Sequence, residues 1–327
     1  MKRKKILSLT SLLLGAALFA GCTSTNYKIA FGDYWYYTVD AHPSETLEKL
    51  TYKIDFTSDA GWNNYTVSYT NGVYETTLTT DKETYGREVY KYETKLTIDV
   101  AYAYDGKTSE TFTDTVTSTV YVEKVLLAPI RSVKNVISHS PVNGDMTDET
   151  VKNLGYDYTV DVDYVTKKRT VTNNKLEENA ANRSKTIDVE IDEKDTEKYS
   201  LIDNEALLLA LRAVNPSSSA SHELLVYAPF SEETQKITAS YASKEIAEGI
   251  SFKKDGVVIT EDIYYNAVTL SINSNNSGAS QTVWVANASN VKANDYRNVI
   301  LRYEAPVSYN LGTLVYTLES AQFAAKN

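Results

Sequence analysis

Between Tyr156 and Tyr164 the chain alternates strictly: Tyr156, Tyr158, Val160, Val162 and Tyr164 take every second position, and Asp157, Thr159, Asp161 and Asp163 take the others. A period of two sends successive side chains to opposite faces of an extended strand, so this run can bury one face and wet the other only as β-structure. Lys95–Tyr104 repeats the pattern, with Leu96, Ile98, Val100, Tyr102 and Tyr104 set against Lys95, Thr97, Asp99 and small alanines. Ile187, Val189 and Ile191 alternate with Asp188, Glu190 and Asp192 as a third strand. The 26 tyrosines favour the same state. Asn71-Gly72 and Asp105-Gly106 accept φ > 0 at both turn positions and read as two-residue hairpins. These features predict half-buried antiparallel strands, paired largely with their neighbours in sequence.

One stretch breaks the alternation. Asp203–Val214 is rich in Ala and Leu and has no β-branched residue before Val214, which predicts a helix of two to three turns. Ser200, with Asp203 three positions on, is the expected start, and Asn215-Pro216-Ser217 the expected stop. Leu207, Leu208 and Leu211 would share an apolar stripe widened by Leu209, so the helix should be buried against the concave side of the sheet. Lys244–Glu248, before Gly249, is a second, weaker helical candidate.

The first two dozen residues follow different rules. Lys2–Lys5 is a positive cluster, Ile6–Phe19 an apolar stretch, and Leu18-Phe19-Ala20-Gly21 ends in small residues directly before Cys22, the only cysteine. This layout resembles a bacterial lipoprotein signal, with Phe19 where that pattern usually carries Leu. It implies a signal peptide over residues 1–21, a lipidated tether over 22–27, and a single β-rich domain over 28–327, with a division near 140–146 as the alternative. Cys22 would carry a diacylglycerol and an N-acyl chain, and two chains satisfy the two-signal rule for stable anchoring. The apolar stretch falls short of the roughly 20 residues that span a bilayer. The expected location is the extracytoplasmic face of the cell membrane, or the outer membrane where the cell has two, since Thr23 is not Asp.

Composition narrows the partners. With 33 Lys+Arg against 43 Asp+Glu the net charge is −10, and removal of Lys2–Lys5 deepens it. Such a surface repels phosphate backbones, so no nucleic-acid partner is expected. One cysteine excludes an internal disulfide and, with three scattered histidines, argues against a zinc site. His42, His139 and His222 lack any adjoining nucleophile motif and read as surface residues. Asp188, Glu190, Asp192 and Glu193 lack the glycine and bidentate glutamate of a calcium loop and read as a solvated strand face. In Asp33–Tyr37, Trp35 and Tyr36 are ligand-binding candidates, the alternative being an early strand covered on both faces. Arg302 and Glu304 read as cross-strand charge pairing.

Three stretches together resemble a group of β-rich exported bacterial proteins related in architecture to the periplasmic lipoprotein carriers of the Lol type. Val122–Ser132, through Leu127-Ala128-Pro129, is similar to their strand leading into a leucine-proline turn. Asp203–Ala213 is similar to their buried helix ending in an arginine, here Arg212. Asn298–Tyr316 is similar to their final hairpin. The resemblance implies a long antiparallel sheet curled into an open half-barrel, one or two short buried helices, and a hydrophobic ligand held between sheet and helix. The acidic, Tyr-rich composition and the chain's own anchor depart from that group. Expected, then, is a mainly β, membrane-anchored lipoprotein, not an enzyme and without a cofactor beyond its lipid. It would bind a hydrophobic ligand or an envelope protein, with Leu207, Leu208 and Leu211 lining an apolar cavity of roughly 300–1,000 Å³. The alternative is a surface adhesive protein of tandem immunoglobulin-like sandwiches.

Overall fold

A computed structural model of the protein describes residues 46–59, 65–82, 84–104, 107–139, 155–213, 221–228, 233–272, 280–287, 298–307 and 311–324. The first strands are β1 (Thr46–Ser58), β2 (Tyr65–Asp81), β3 (Val89–Tyr104), β4 (Lys107–Thr108), β5 (Phe112–Glu123), β6 (Pro129–His139), β7 (Gly155–Asp163), β8 (Lys168–Asn173) and β9 (Ser184–Asp188). Helix α1 (Glu193–Lys198), β10 (Ser200–Asp203), a 3-10 turn at Asn204–Ala206 and helix α2 (Leu207–Ala213) follow. The remainder is β11 (Ser221–Ala228), β12 (Glu233–Lys254), β13 (Val257–Ile272), β14 (Gln281–Ala286), β15 (Ile300–Val307) and β16 (Gly312–Phe323).

These strands form one sheet. It runs from β10 through β16 in sequence order, then from β16 to β1, and on through β2, β3, β5, β6, β7 and β8 to β9, with β4 beside β3. Every pairing is antiparallel except β10 with β11 and a short contact of Lys253 and Lys254 on β12 with Ser320 and Ala321 on β16. That second contact closes β12–β16 into a five-stranded ring. Strand β10, at one end of the sheet, also touches β6, near the other end. The protein is therefore mainly β, a large curved sheet with two short helices. A single sheet overturns the immunoglobulin-like alternative, which requires two packed sheets per domain.

The 3-10 turn and α2 lie within the curl. Asp203 begins them, its carboxylate accepting from the Glu205 N–H at 2.8 Å. Ser200, the expected start, instead opens β10. Leu207, Leu209, Ala210 and Leu211 are wholly buried in the main core, because a short helix that is apolar nearly all round has no face to give to water. Arg212 follows them and is just as deep. Its guanidinium forks onto the Glu48 carboxylate of β1 at 2.6 and 2.7 Å and donates through Nε to the Asn298 carbonyl at 3.2 Å. The Asn298 amide and the Tyr241 hydroxyl donate to the carbonyls of Arg212 and Leu211, which a helix end leaves unpaired. A bidentate pair with a further hydrogen bond from Nε is the form in which buried charge is tolerated.

Three local expectations are corrected. Asn71-Gly72 is no hairpin: both residues lie inside the 17-residue β2, where the register with β3 shifts between Thr70 and Val73 and Asn71 has φ 51°. The positive φ serves a bulge, and at Gly72 an added Cβ would stand 2.6 Å from Cβ of Ile54. Lys244–Glu248 is strand, paired with β13 between two register shifts. The third strand ends at Asp188. Asp105-Gly106 lies outside the described residues, although the flanking Tyr104 and Lys107 pair antiparallel. Among the described residues no helix is long and apolar enough to cross a membrane, which leaves membrane-spanning strands unaddressed.

Arg212→Ala strands the Glu48 carboxylate and is expected to cost about 3–5 kcal/mol in urea unfolding. Arg212→Met combined with Glu48→Leu should recover most of that loss, because neither charge is then buried alone. A double variant no more stable than Arg212→Ala would contradict this account.

Candidate functional site

Where the 3-10 turn meets the sheet, a cleft of about 90 Å³ remains. Tyr74, Leu96 and Val116 form its wall on β2, β3 and β5, Leu208 of α2 faces them, and Tyr303 and Tyr316 close one side. Thr94, Lys134, Asn204 and Glu205 supply its polar part. Alternation explains the wall: Leu96 and Val116 are register partners on adjacent strands, as are Thr94 and Ser118, whose hydroxyls bond at 2.7 Å. Tyr74, Tyr316 and Tyr303 pack ring against ring, with centroids 5.6 and 5.1 Å apart. Burial pushes all three hydroxyls above the ordinary tyrosine value, so they stay neutral.

The polar part is organised by one ion pair. Lys134 Nζ on β6 meets Glu205 Oε1 at 2.7 Å, with both side chains close to nine-tenths buried. Asn204 Nδ2 donates to the same carboxylate at 3.0 Å. Asn204 Oδ1 is buried without a hydrogen-bond partner among the described residues. A moiety with an apolar end against Leu208 and a polar end toward Lys134 and Glu205 would match both parts of the lining.

The expected cavity was larger, and the helix explains the difference. Leu207 and Leu211 point into the packed core and do not reach the cleft; only Leu208 does. The other candidates, Cys22, Trp35 and Tyr36, lie outside the described residues, as does His42.

Beside the cleft runs a seam where β10 and the 3-10 turn meet β6 and β7. Tyr164, following β7, donates its hydroxyl to Asp203 at 2.5 Å, and the Lys134–Glu205 pair bridges β6 to the 3-10 turn. Tyr227 of β11 and Leu201 of β10 pack with Val136, Tyr158, Val160, Val162 and Tyr164 in a second apolar cluster. Burial pushes the Asp203 carboxyl up to about 6, with the Glu205 charge adding to it against the hydrogen bonds from Tyr164, the Glu205 N–H and Ser132.

The histidines are not plain surface residues. His139 Nδ1 lies 2.8 Å from Asp114 Oδ1, and its ring stacks on Phe112 at 4.3 Å. Burial raises the Asp114 carboxyl to about 6 against those hydrogen bonds. No nucleophile hydrogen-bonds to this pair among the residues described, so it reads as a support for the end of β6. His222 is partly buried and set edge-on to Tyr241. Arg302 pairs with Glu304 on its own strand and lies over Trp284 of β14, so the cross-strand contact is aromatic and not ionic. Asp192 caps α1, and Asp188 pairs with Lys168.

No protein-family model matches the chain, and no curated protein does. Among solved structures it is similar to a β-barrel-like protein of a domain of unknown function, DUF1849, from Brucella abortus, with TM-score 0.46 and 8% identity, covering 87% of this chain and 100% of that one.

Asp203 and Asp114 both bind protons more tightly folded than unfolded, so their contribution to stability is full below about pH 4 and is lost as pH rises through about 6. His222 opposes them: burial lowers its pKa, so acidification below its ordinary 6.5 favours the unfolded chain. Two acids outweigh one partly buried histidine, so the melting temperature should rise between pH 7.5 and pH 5. In the Asp114→Asn/Asp203→Asn variant most of that rise should vanish; an unchanged increment would contradict the assignment.

Proposed function

We propose that the protein is an extracytoplasmic lipoprotein, anchored through acylated Cys22, that binds without catalysis part of a hydrophobic or envelope-derived ligand in the cleft at Leu208. The observation that carries the binding reading is the meeting of the apolar Tyr74, Leu96, Val116 and Leu208 with the polar Thr94, Lys134, Asn204 and Glu205 in one cleft. Apolar walls with a few convergent polar groups are the usual make-up of a small-molecule site. At about 90 Å³ it accommodates one short moiety of an amphiphile, with the rest of the ligand outside, and not a whole acyl chain. Lys134 and Glu205 neutralise each other, which suits holding a polar group better than transferring a proton. The anchoring half of the reading is supported by the positive cluster, apolar stretch and small residues that precede Cys22.

Leu208→Trp should fill the cleft. Lipid extracts of the protein purified from membranes should yield an amphiphile by mass spectrometry, and the variant should carry about tenfold less, a difference of about 1.4 kcal/mol in binding. Equal recovery from both proteins would rule the cleft out as the site. Separately, Cys22→Ser should move the protein from the membrane fraction to the soluble one; a variant that stays with membranes would end the anchoring proposal.

A further inference from the structure

The four most exposed large apolar side chains among the described residues are Val165, Val125, Val257 and Val258, at 71%, 68%, 65% and 63%. Val125 and Val165 sit in turns, and Val257 and Val258 open β13 directly after one. Val125, with the exposed Leu126, is in the β5–β6 turn, Val165 is in the β7–β8 turn, and Val257 and Val258 follow Asp255-Gly256 at the tip of the β12–β13 hairpin. Strand register places these turns on one rim. Thr46 at the start of β1 pairs with Thr79 near the end of β2, Asp81 with Val89, and Val89 with Glu123, so the β5–β6 turn shares the rim where β1 begins. Arg131 pairs with Asp163, which puts the β7–β8 turn there too. Glu48 pairs with Phe323, and Lys254 with Ala321 in parallel, which brings the β12–β13 tip to the same rim.

That tip is held firmly. The Asp255 carboxylate accepts from the Phe323 N–H at 2.9 Å, and the Asp255 N–H donates to the Ala321 carbonyl at 2.8 Å. Asp255 and Gly256 both have positive φ, at 48° and 85°, as a tight two-residue hairpin requires. On a half-buried strand one of two consecutive valines would face the core, whereas here both are exposed, so the tip carries apolar surface on its two faces. Each turn also sets lysine beside its apolar residues: Lys124 next to Val125, Lys167 two positions from Val165, and Lys253 across from Val258. Lys124 and Lys167 pair with Glu88 and Glu193. Valine flanked by lysine suits an interface where the methyl groups enter the headgroup layer and the ammonium groups stay at its surface.

We infer that this rim, carrying Val125, Leu126, Val165, Val257 and Val258, rests on a lipid surface. The inference builds on the anchoring reading above, because residue 46, where the segment bearing Cys22 joins the described structure, lies on this same rim. Cys22 is 24 residues before Thr46, which bounds the distance between lipid and rim at about 86 Å without setting the domain's orientation; the rim contact would set it. A membrane is also the partner that several separate turns on one rim can meet together; a groove-binding peptide would need them contiguous.

The test uses the full chain purified with its lipid and placed in vesicles of phosphatidylethanolamine and phosphatidylglycerol. Because the sulfur of acylated Cys22 is blocked, Val165→Cys, Val258→Cys and Leu176→Cys each present a single thiol for an environment-sensitive fluorophore. Leu176 follows β8, whose start lies on the valine rim, and so serves as the control on the opposite rim. Emission at positions 165 and 258 should shift to the blue and rise about twofold or more as the probes enter the headgroup layer. The probe at 176 should not change. Probes at 165 and 258 that stay in water on a protein whose intact mass shows acylation overturn the inference while leaving anchoring intact. So does shielding seen in cell membranes but absent from pure vesicles, which would indicate a protein partner. An intact mass without the lipid overturns the anchoring reading. The rim is then tested in the Cys22→Ser background with the same probes, where a blue shift upholds it and its absence rejects it.

Discussion

The placement of α2 is set by a fork of two hydrogen bonds between Arg212 and Glu48, at 2.6 and 2.7 Å, made where water does not reach. A seven-residue helix has too few internal hydrogen bonds to stand alone, so α2 exists because the sheet surrounds it. Its apolar residues would pack in more than one rotation or depth; the fork accepts one. By tying the C-terminal end of α2 to β1, it also fixes where the opposite end lies. Leu208 and the 3-10 turn are thereby set against Leu96, Val116 and Lys134, and the cleft follows from that placement.

The second constraint is the way the sheet ends. A strand edge with unpaired backbone groups invites association, and proteins manage it by covering or charging the edge. Here β10 turns back over β6 and is joined to that side by side chains, through Tyr164 with Asp203 and Lys134 with Glu205. The other terminal strand, β9, is short and almost entirely solvent-exposed, with Lys185 and Asp188 along it. The join beside the cleft is thus polar and includes an acid whose burial raises its pKa. The same charged pair that joins β6 to the 3-10 turn also lines the cleft.

Much of the fold was legible in the sequence because β-strands advertise themselves by alternation. The runs at Lys95–Tyr104 and Tyr156–Tyr164 lie in strands, and the apolar stretch at Leu207–Ala213 is a buried helix. Failures came where one local signal serves two structures. Asn-Gly supplies positive φ equally to a hairpin and to the bulge in β2, and only the pairing of both neighbours decides between them. Lys244–Glu248 holds good helix formers, yet its backbone bonds are taken by β13, and tertiary pairing overrides propensity. Asp255-Gly256 carries the same kind of dipeptide signal and does form a hairpin. The site was less legible still: Lys134 and Glu205 are 71 residues apart, and Glu48 looks like any strand glutamate until its partner is known. The volume of the cleft depends on how completely Leu207, Leu209 and Leu211 fill the curl, which composition does not encode.

Helix α2 is an integral part of the sheet's core, while the 3-10 turn before it borders the cleft. Native-state hydrogen exchange reads this residue by residue. The amides of Ala210–Ala213 should exchange only through global unfolding, and those of Asn204–Ala206 through smaller openings. Exchange of the α2 amides well below the global free energy, in step with the turn, would mean that the helix is a detachable lid, and the account of fold and site given above would be wrong.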